Sequence, residues 1–209
     1  MPSRVESSPE FLHRNNEGSI TVIVGPMFSG KSDELIWILR QAQYAKLNVQ
    51  AFKPEVDDRR GDGTINTFDL ISFPATSIAN SPEILNNLNK GVQVVGIDEA
   101  QFFDTKLTEV CKELADKKIQ VVVAGLHSDF RGKTFGPMAD LLIEADYVKK
   151  RQARCAICGG PASRTQRLMI EKGMTRPAYF DEPIIVVGGN EQYQARCRHC
   201  HEVPVRTSS

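Results

Sequence analysis

The sequence has 209 residues, which is enough for one full domain and a small additional unit. Hydrophobic residues make up 41% of it, which argues against general disorder. Basic and acidic residues balance at 26 each, which argues against DNA or RNA as the main partner. No run approaches the roughly 20 apolar residues of a membrane span, and the N-terminus lacks the apolar segment of a signal peptide. We therefore expect no membrane partner and a cytoplasmic protein.

The first part of the chain alternates between strand and helix patterns. Residues 1–18 are polar and predict a flexible tail. The β-branched run at 19–24 predicts a buried strand, and apolar residues at helical spacing predict a helix over 31–46. A second strand is predicted at 48–53, and the charged stretch 55–66 predicts a loop.

The alternation continues to about residue 150. The further predicted elements are a helix at 81–89, a strand at 92–97, a helix at 104–117, a strand at 119–126, a helix at 137–145 and a strand at 146–150. Strands that alternate with helices indicate an α/β fold with a parallel sheet flanked by helices, of the P-loop NTPase type. We predict an α/β domain at 19–150, a small β-type domain at 151–203, and a C-terminal tail at 204–209.

A phosphate-binding loop is predicted between the first strand and the first helix. The segment GPMFSGKS fits the pattern G-x-x-x-x-G-K-[ST]. Glycines let backbone N–H groups turn toward a phosphate chain, and the helix N-terminus adds a positive dipole end. Lys31 should reach the β and γ phosphates, and the Ser32 hydroxyl should bind Mg²⁺. The residues predicted to bind the phosphate chain of a nucleotide are Gly25, Pro26, Met27, Phe28, Ser29, Gly30, Lys31 and Ser32.

A second chemical element follows the strand at 92–97. Asp98 and Glu99 lie directly after it, at the edge where open α/β sheets bind ligands. Asp98 is a candidate ligand of Mg²⁺, and Glu99 is a candidate base for a substrate hydroxyl. The alternative is that the two acids only end the strand. Asp57 and Arg59 lie in a charged loop after the second strand and could approach the phosphates, although such residues are usually only solvated.

Two C-x-x-C pairs indicate a metal site. Cys155 and Cys158 form one pair, and Cys197 and Cys200 form the other. Four thiolates suit a structural Zn²⁺, which would organise a segment too small to fold on its own core. Redox-active thiols are the alternative, and His201 is an alternative ligand. The fifth cysteine, Cys111, falls in a helical apolar pattern and is predicted to be a core residue.

The long interval between the cysteine pairs is predicted to close over a ligand. Residues 169–183 mix charged and aromatic side chains, and the glycines at 188 and 189 permit close backbone approach to a ligand. A closing loop would exclude water from phosphoryl transfer. The alternative is a surface hairpin that contacts no ligand.

Taken together, these motifs resemble those of type II thymidine kinases, the family that includes the human cytosolic enzyme. The resemblance rests on GPMFSGKS, FKPEVDDR, GIDEAQFF, CAIC, VVGGNEQY and CRHC, in family order from about residue 19 to 203. It implies ATP-dependent phosphorylation of the 5′-hydroxyl of thymidine, with Mg²⁺ and a structural Zn²⁺. It also implies a homotetramer and feedback inhibition by dTTP.

The resemblance also implies roles for individual residues. Glu99 matches the base, and Asp57, Arg59, Asp98 and Gln101 match the ATP and Mg²⁺ side of the site. The residues that match the thymidine side are Phe102, Phe130, Phe135, Thr165, Tyr193 and the backbone of Ile184, Ile185, Val186, Val187 and Gly188.

Three features depart from the family pattern. Asp33 stands where threonine often follows the magnesium serine, the stretch HSDFRGKTFG carries unusual charges, and the cysteine interval is long. Two other functions are compatible with the motifs. One is another deoxynucleoside or nucleotide kinase, and the other is a zinc-ribbon nucleic-acid-binding module fused to an ATPase, which the neutral charge disfavours.

Overall fold

A computed structural model of the chain describes residues 17–57, 63–66, 72–171, 173–185 and 192–206. The strands are β1 (Ser19–Val24), β2 (Val49–Pro54), β3 (Thr64–Asn66), β4 (Ser72–Pro74), β5 (Thr76–Ile78), β6 (Val94–Ile97), β7 (Gln120–Gly125), β8 (Tyr147–Lys150), β9 (Ala153–Arg154), β10 (Pro161–Ala162), β11 (Arg164–Glu171), β12 (Met174–Pro177) and β13 (Tyr193–Arg196). The helices are α1 (Lys31–Tyr44), α2 (Glu83–Asn86), α3 (Leu107–Asp116) and α4 (Met138–Glu144). Within these ranges, no helix has the length and apolar character needed to span a membrane.

Six strands form one parallel sheet in the order β5-β2-β6-β7-β1-β8. A helix lies between β1 and β2, β5 and β6, β6 and β7, and β7 and β8, as the sequence predicts for βαβ units, whereas the paired strands β3 and β4 lie between β2 and β5. The predicted α/β class is therefore confirmed. The connection from β1 runs along the sheet toward β2, whereas the connection from its neighbour β7 runs the other way to β8. Open sheets of this type form their ligand crevices at such a change of direction.

Alternating side chains of the central strands supply two separate hydrophobic cores. Helix α1 packs on one face, where Leu35, Ile38 and Leu39 meet Val122 and other strand residues. Helices α2, α3 and α4 cover the other face.

Helix α1 lies very close to the sheet. A Cβ added at Gly96 of β6 would lie 2.6 Å from Leu39 Cδ1, so any larger residue there would have to displace the Leu39 side chain.

The register of the sheet aligns the three segments that the sequence singles out. Val24 of β1 pairs with Gly125 of β7, and Ile97 of β6 pairs with Val123 of β7. The segments that follow β1, β6 and β7 therefore leave the sheet side by side at its carboxyl edge.

The chain after β8 forms an antiparallel unit, which we call the C-terminal unit (residues 151–206). Strands β12, β11 and β13 make a three-stranded sheet, and β9 pairs with β10. Part of the long predicted loop between the cysteine pairs is therefore a hairpin of β11 and β12. The predicted domain boundary near residue 150 coincides with this change from parallel to antiparallel pairing, but the division into domains stays a prediction.

Several predicted element boundaries differ from those observed. The helix predicted at 81–89 is shorter, the stretch 55–66 contains a 3₁₀ turn and β3, and the helix predicted from residue 104 begins at Leu107. Asp104 accounts for the last difference. Its carboxylate accepts hydrogen bonds from the Ser81 N–H at 2.8 Å, the Ser81 hydroxyl at 2.7 Å and the Lys106 N–H at 2.9 Å. Asp104 therefore joins the start of α2 to the start of α3.

We expect Asp104→Asn to destabilise the fold. Burial opposes ionisation of Asp104, but its hydrogen bonds from Ser81 and Lys106 outweigh that effect and lower its pKa. A charged acceptor with several donors is typically worth about 1.5–3 kcal/mol, and exposure reduces this to about 1 kcal/mol here. A lowered folded-state pKa contributes stability above the unfolded value of about 3.9 and loses it as the pH falls through the folded value.

Chemical unfolding at several pH values tests this prediction. Wild type should exceed Asp104→Asn in unfolding free energy at pH 7, and the difference should shrink below about pH 4. Glu109→Gln, in the first turn of the same helix and strongly exposed, is the matched control with a change within about 0.5 kcal/mol. Equal stability of wild type and Asp104→Asn at pH 7 would contradict the assigned role.

Candidate active site

A cavity of about 310 Å³ opens at the carboxyl edge of the central sheet. Most of the predicted site residues that the structure describes line it. They are Met27, Phe28, Ser29, Gly30, Lys31, Ser32, Asp98, Glu99, Gln101, Phe102, Phe130, Phe135, Thr165, Ile184, Ile185 and Tyr193. Residues far apart in sequence are thus brought to one space.

Five predicted residues fall wholly or partly outside the described structure, and two described ones do not line the cavity. Val186, Val187, Gly188 and Arg59 lie outside the described residues, and only the backbone of Asp57 is described. Asp57 ends the 3₁₀ turn that follows β2. Within the described phosphate loop, Gly25 and Pro26 do not line the cavity.

The phosphate loop curls between β1 and α1 as its motif predicts. Gly30 has a left-handed conformation with φ 71°, and Phe28 has φ 64°, which is uncommon for a residue with a side chain. The Ser29 hydroxyl donates to the Pro26 carbonyl at 2.8 Å, a hydrogen bond that joins two residues of the loop. Strain held at such a position is typical of functional loops.

Lys31 is buried at the base of the loop. Its ammonium donates to the Pro26 carbonyl at 2.8 Å. Burial lowers the pKa of Lys31, and the carboxylates of Glu99 and Asp98 partly oppose this. The lysine is thus a desolvated cation held next to two acids.

Asp98 and Glu99 follow β6 directly. The Asp98 N–H donates to the Phe52 carbonyl at 3.0 Å, which extends the strand pairing by one residue and buries Asp98. Glu99 then turns away from the sheet with a left-handed φ of 49°. The two neighbouring carboxylates therefore take different environments in one cavity.

Gln101 connects Glu99 to the next strand. Its Nε2 donates to Glu99 Oε2, and its Oε1 accepts from the Leu126 N–H at 2.8 Å. Gln101 is buried, and a Cβ at Gly125 would lie 2.9 Å from its Oε1. The described contacts of this side chain therefore go to the candidate base and the backbone, although the resemblance assigned Gln101 to the ATP side.

The oxygen donors of the cavity fit a magnesium ion. The Ser32 hydroxyl and the Asp98 carboxylate line it together, and the unusual Asp33 lines it too. Mg²⁺ prefers such hard oxygen ligands. Asp33 therefore adds a negative charge on the metal side of the site, and its Oδ2 lies 3.5 Å from the Cβ position of Gly30.

Aromatic side chains form the opposite part of the cavity. The rings of Phe102 and Phe135 meet edge to face with centroids 5.6 Å apart. Phe130 is buried, and the guanidinium of Arg167 lies 5.5 Å from its ring centroid. Flat apolar walls of this kind suit a planar base.

The C-terminal unit completes this wall. Thr165 of β11 accepts a hydrogen bond from the Met27 N–H of the phosphate loop at 3.0 Å. His201 Nε2 lies 2.8 Å from the Phe130 carbonyl, and Arg167 Nη1 donates to the Pro183 carbonyl, just before Ile184. The same unit thus contacts both the phosphate loop and the aromatic wall.

Sequence reasoning missed several residues of the cavity. Lys53 is buried at the end of β2, and Thr64, Ile65 and Asn66 form β3. Lys53 had a usable signal because it is a charged residue near the carboxyl end of a parallel strand. The short strand β3 had none, since it falls in a stretch predicted as a loop.

The four paired cysteines meet within the C-terminal unit. Their sulfur atoms all lie within 4.8 Å of one another, and Cys158 Sγ lies 3.8 Å from Cys197 Sγ. Zn–S bonds of about 2.3 Å in a tetrahedron place sulfurs about 3.8 Å apart. The cluster therefore has the ligands and spacing of a closed zinc site, and His201 is directed to Phe130 instead.

The pKa values of two thiols in this cluster are shifted in opposite directions. Backbone N–H groups of Cys158 and Cys197 lower the pKa of Cys155 to about 6. A hydrogen bond with the Cys197 side chain and burial raise the pKa of Cys200 to about 12. Four thiolates at this spacing need a cation, which is the chemistry of a metal site. Cys111, in contrast, is a buried core residue as predicted, and burial raises its pKa to about 12.

Comparison with known proteins decides the family. A family model described as "TK: Thymidine kinase" matches residues 18–201. The chain belongs to the thymidine kinase family. The predicted resemblance is thereby confirmed, and the chain is placed among enzymes.

A solved structure with some similarity is domain III of the replication initiation protein DnaA from Thermotoga maritima. It is 18% identical, with a TM-score of 0.41, and the match covers 66% of this chain. This chain spans 56% of that chain's length. A likeness at this level has no bearing on function.

The cysteine geometry predicts one zinc ion per chain. Purified protein should contain one equivalent of zinc by elemental analysis, and Cys158→Ser should lose most of it because three thiolates leave the shell open. Cys111→Ala is the matched control and should keep its zinc, since Cys111 lies in α3. Zinc-free wild-type protein with four titratable thiols in the cluster and an intact fold would contradict the site.

Proposed function

We propose that the protein transfers the γ-phosphate of ATP to the 5′-hydroxyl of thymidine. The observation that carries this proposal is one cavity that joins a phosphate loop, an acid at the end of a parallel strand and an aromatic wall. Family membership supports thymidine as the acceptor. Because the reaction is in-line phosphoryl transfer, the chain has to position two substrates and neutralise charge.

The phosphate loop binds the triphosphate in this proposal. Loop N–H groups and the N-terminus of α1 supply the positive ends of backbone dipoles. Lys31 has to leave the Pro26 carbonyl, where it now donates, to reach the β and γ phosphates. Asp57 and Arg59 act near the same phosphates by resemblance to the family.

Glu99 acts as the base that accepts the proton of the 5′-hydroxyl. It borders the cavity next to Lys31, so acceptor and donor phosphate meet within a short distance. Gln101 holds one carboxylate oxygen of Glu99. The other oxygen is then directed toward the hydroxyl of the nucleoside.

Ser32 and Asp98 hold the magnesium ion that accompanies ATP. When bound, Mg²⁺ neutralises developing charge on the phosphates. The buried position of Asp98 at the strand end keeps its carboxylate in place for this contact. Asp33 lies close enough to the same ligands to influence how tightly the metal is bound.

The acceptor lies between the aromatic wall and the C-terminal unit. Phe102, Phe130 and Phe135 contact the base, with Thr165 beside its methyl group, and Tyr193 contacts the sugar. The backbone from Ile184 to Gly188 reads the edges of the base through N–H and C=O groups. The cysteine cluster anchors this unit as a domain of its own around one structural Zn²⁺.

Family membership leaves the breadth of substrates open. Another deoxynucleoside kinase on this scaffold remains the alternative, and no observed contact favours it. The homotetramer and inhibition by dTTP that the resemblance implies stay predictions.

We expect Glu99→Gln to lower kcat by about 10²- to 10⁴-fold, the usual contribution of a positioned base. The amide keeps the size of the carboxylate but cannot take the proton. ATP and thymidine binding should persist, so steady-state kinetics and calorimetric binding together check the assignment. Glu113→Gln, an exposed acid of α3 that pairs with Lys117, is the control and should retain wild-type kcat. Near-normal turnover of Glu99→Gln would remove this residue from its role.

A further inference from the structure

Arg151 has no role in the mechanism above, yet its side chain bonds directly to the phosphate loop. It is the first residue after β8, the edge strand beside β1. Its backbone N–H donates to the Val24 carbonyl at 2.6 Å, which places it beside the start of the loop. From there its side chain extends along the outside of the loop.

The guanidinium makes two directed contacts. Its Nε donates to the Ser29 carbonyl at 3.2 Å, and its Nη1 donates to Glu34 in the first turn of α1 at 2.7 Å. One planar group therefore connects the tip of the loop to the helix that follows it. A fixed fork of donors is the particular property of arginine among cations.

Close packing supports the same conclusion. A Cβ at Gly25 would lie 2.8 Å from the Arg151 carbonyl oxygen and 3.1 Å from the Arg151 Cβ. A Cβ at Gly30 would lie 3.2 Å from Arg151 Nη2. The loop thus lies against Arg151 at two points, with Gly25 facing its backbone and Cβ and Gly30 facing its guanidinium.

We propose that Arg151 is a positioning residue for the nucleotide. By holding the Ser29 carbonyl outward, it keeps that oxygen away from the phosphates and leaves the loop N–H groups free to face inward. Its positive charge, beside the loop, also favours a bound polyphosphate. The inference rests on the proposed ATP site, since it names a second determinant of the same loop shape.

A neighbouring residue provides a control that distinguishes this role from that of an ion pair with Glu34 alone. Lys149 also pairs with the carboxylate of Glu34. If Arg151 acted only through Glu34, loss of Lys149 would have a similar effect. If it acts on the loop carbonyl, only Arg151 matters for ATP.

The test compares Arg151→Met, Arg151→Lys and Lys149→Met in steady-state kinetics with ATP and thymidine varied separately. We expect Arg151→Met to raise the KM for ATP about tenfold, the effect of losing one charged hydrogen bond. Arg151→Lys should give a smaller rise because it keeps the charge but loses the fork. The KM for thymidine should change less than about twofold in all three variants, as should the KM for ATP in Lys149→Met. A purely structural role would instead lower the active fraction, and hence kcat, without this split.

Direct titration with a non-hydrolysable ATP analogue, with thermal melting of each variant, completes the test. If Arg151→Met fails to fold, Arg151→Lys decides the question. We expect its Kd for the analogue to rise about threefold or more. An unchanged Kd in the folded Arg151 variants, or an equal rise in Lys149→Met, would overturn the inference. Failure of wild type to bind the analogue at all would instead count against the proposed function.

Discussion

The register of parallel strands at one edge of the central sheet is the constraint on which the site depends. Because β1, β6 and β7 pair in parallel with aligned ends, the phosphate loop, Asp98 with Glu99, and the segment from Leu126 leave the sheet together. The backbone N–H of Leu126 then meets Gln101, which in turn meets Glu99. A one-residue slip of β6 against β7 would turn its side chains to the other face and separate these partners.

The second half of the site depends on the C-terminal unit. Thr165 accepts a hydrogen bond from the phosphate loop, and His201, directly after Cys200, contacts the backbone of Phe130. The cysteine cluster therefore lies one residue from a contact with the aromatic wall. A zinc ion held by this cluster would have no chemical step of its own, but it would fix the strands that place these contacts.

The parts of the site that sequence could predict are those whose chemistry is local. The phosphate loop, the acids after β6 and the C-x-x-C pairs each lie within a few residues, and the structure brings them together in the cavity or the cluster. The start of α3 was placed too early because Asp104 bonds to Ser81, 23 residues away. The contact of Arg151 with the phosphate loop and that of Gln101 with Leu126 were missed for the same reason, since each joins residues far apart in sequence.

The most direct test of the central claim is phosphate transfer from ATP within one equimolar mixture of nucleosides. The products should be separated by chromatography and identified by mass. The account predicts that thymidine is consumed first and that the product is its 5′-monophosphate. Deoxycytidine should be phosphorylated far more slowly, because its base edge has different donors and acceptors for the backbone at 184–188 and it lacks the methyl group proposed to lie beside Thr165. Equal rates for thymidine and deoxycytidine, or transfer only to other nucleosides, would contradict the account.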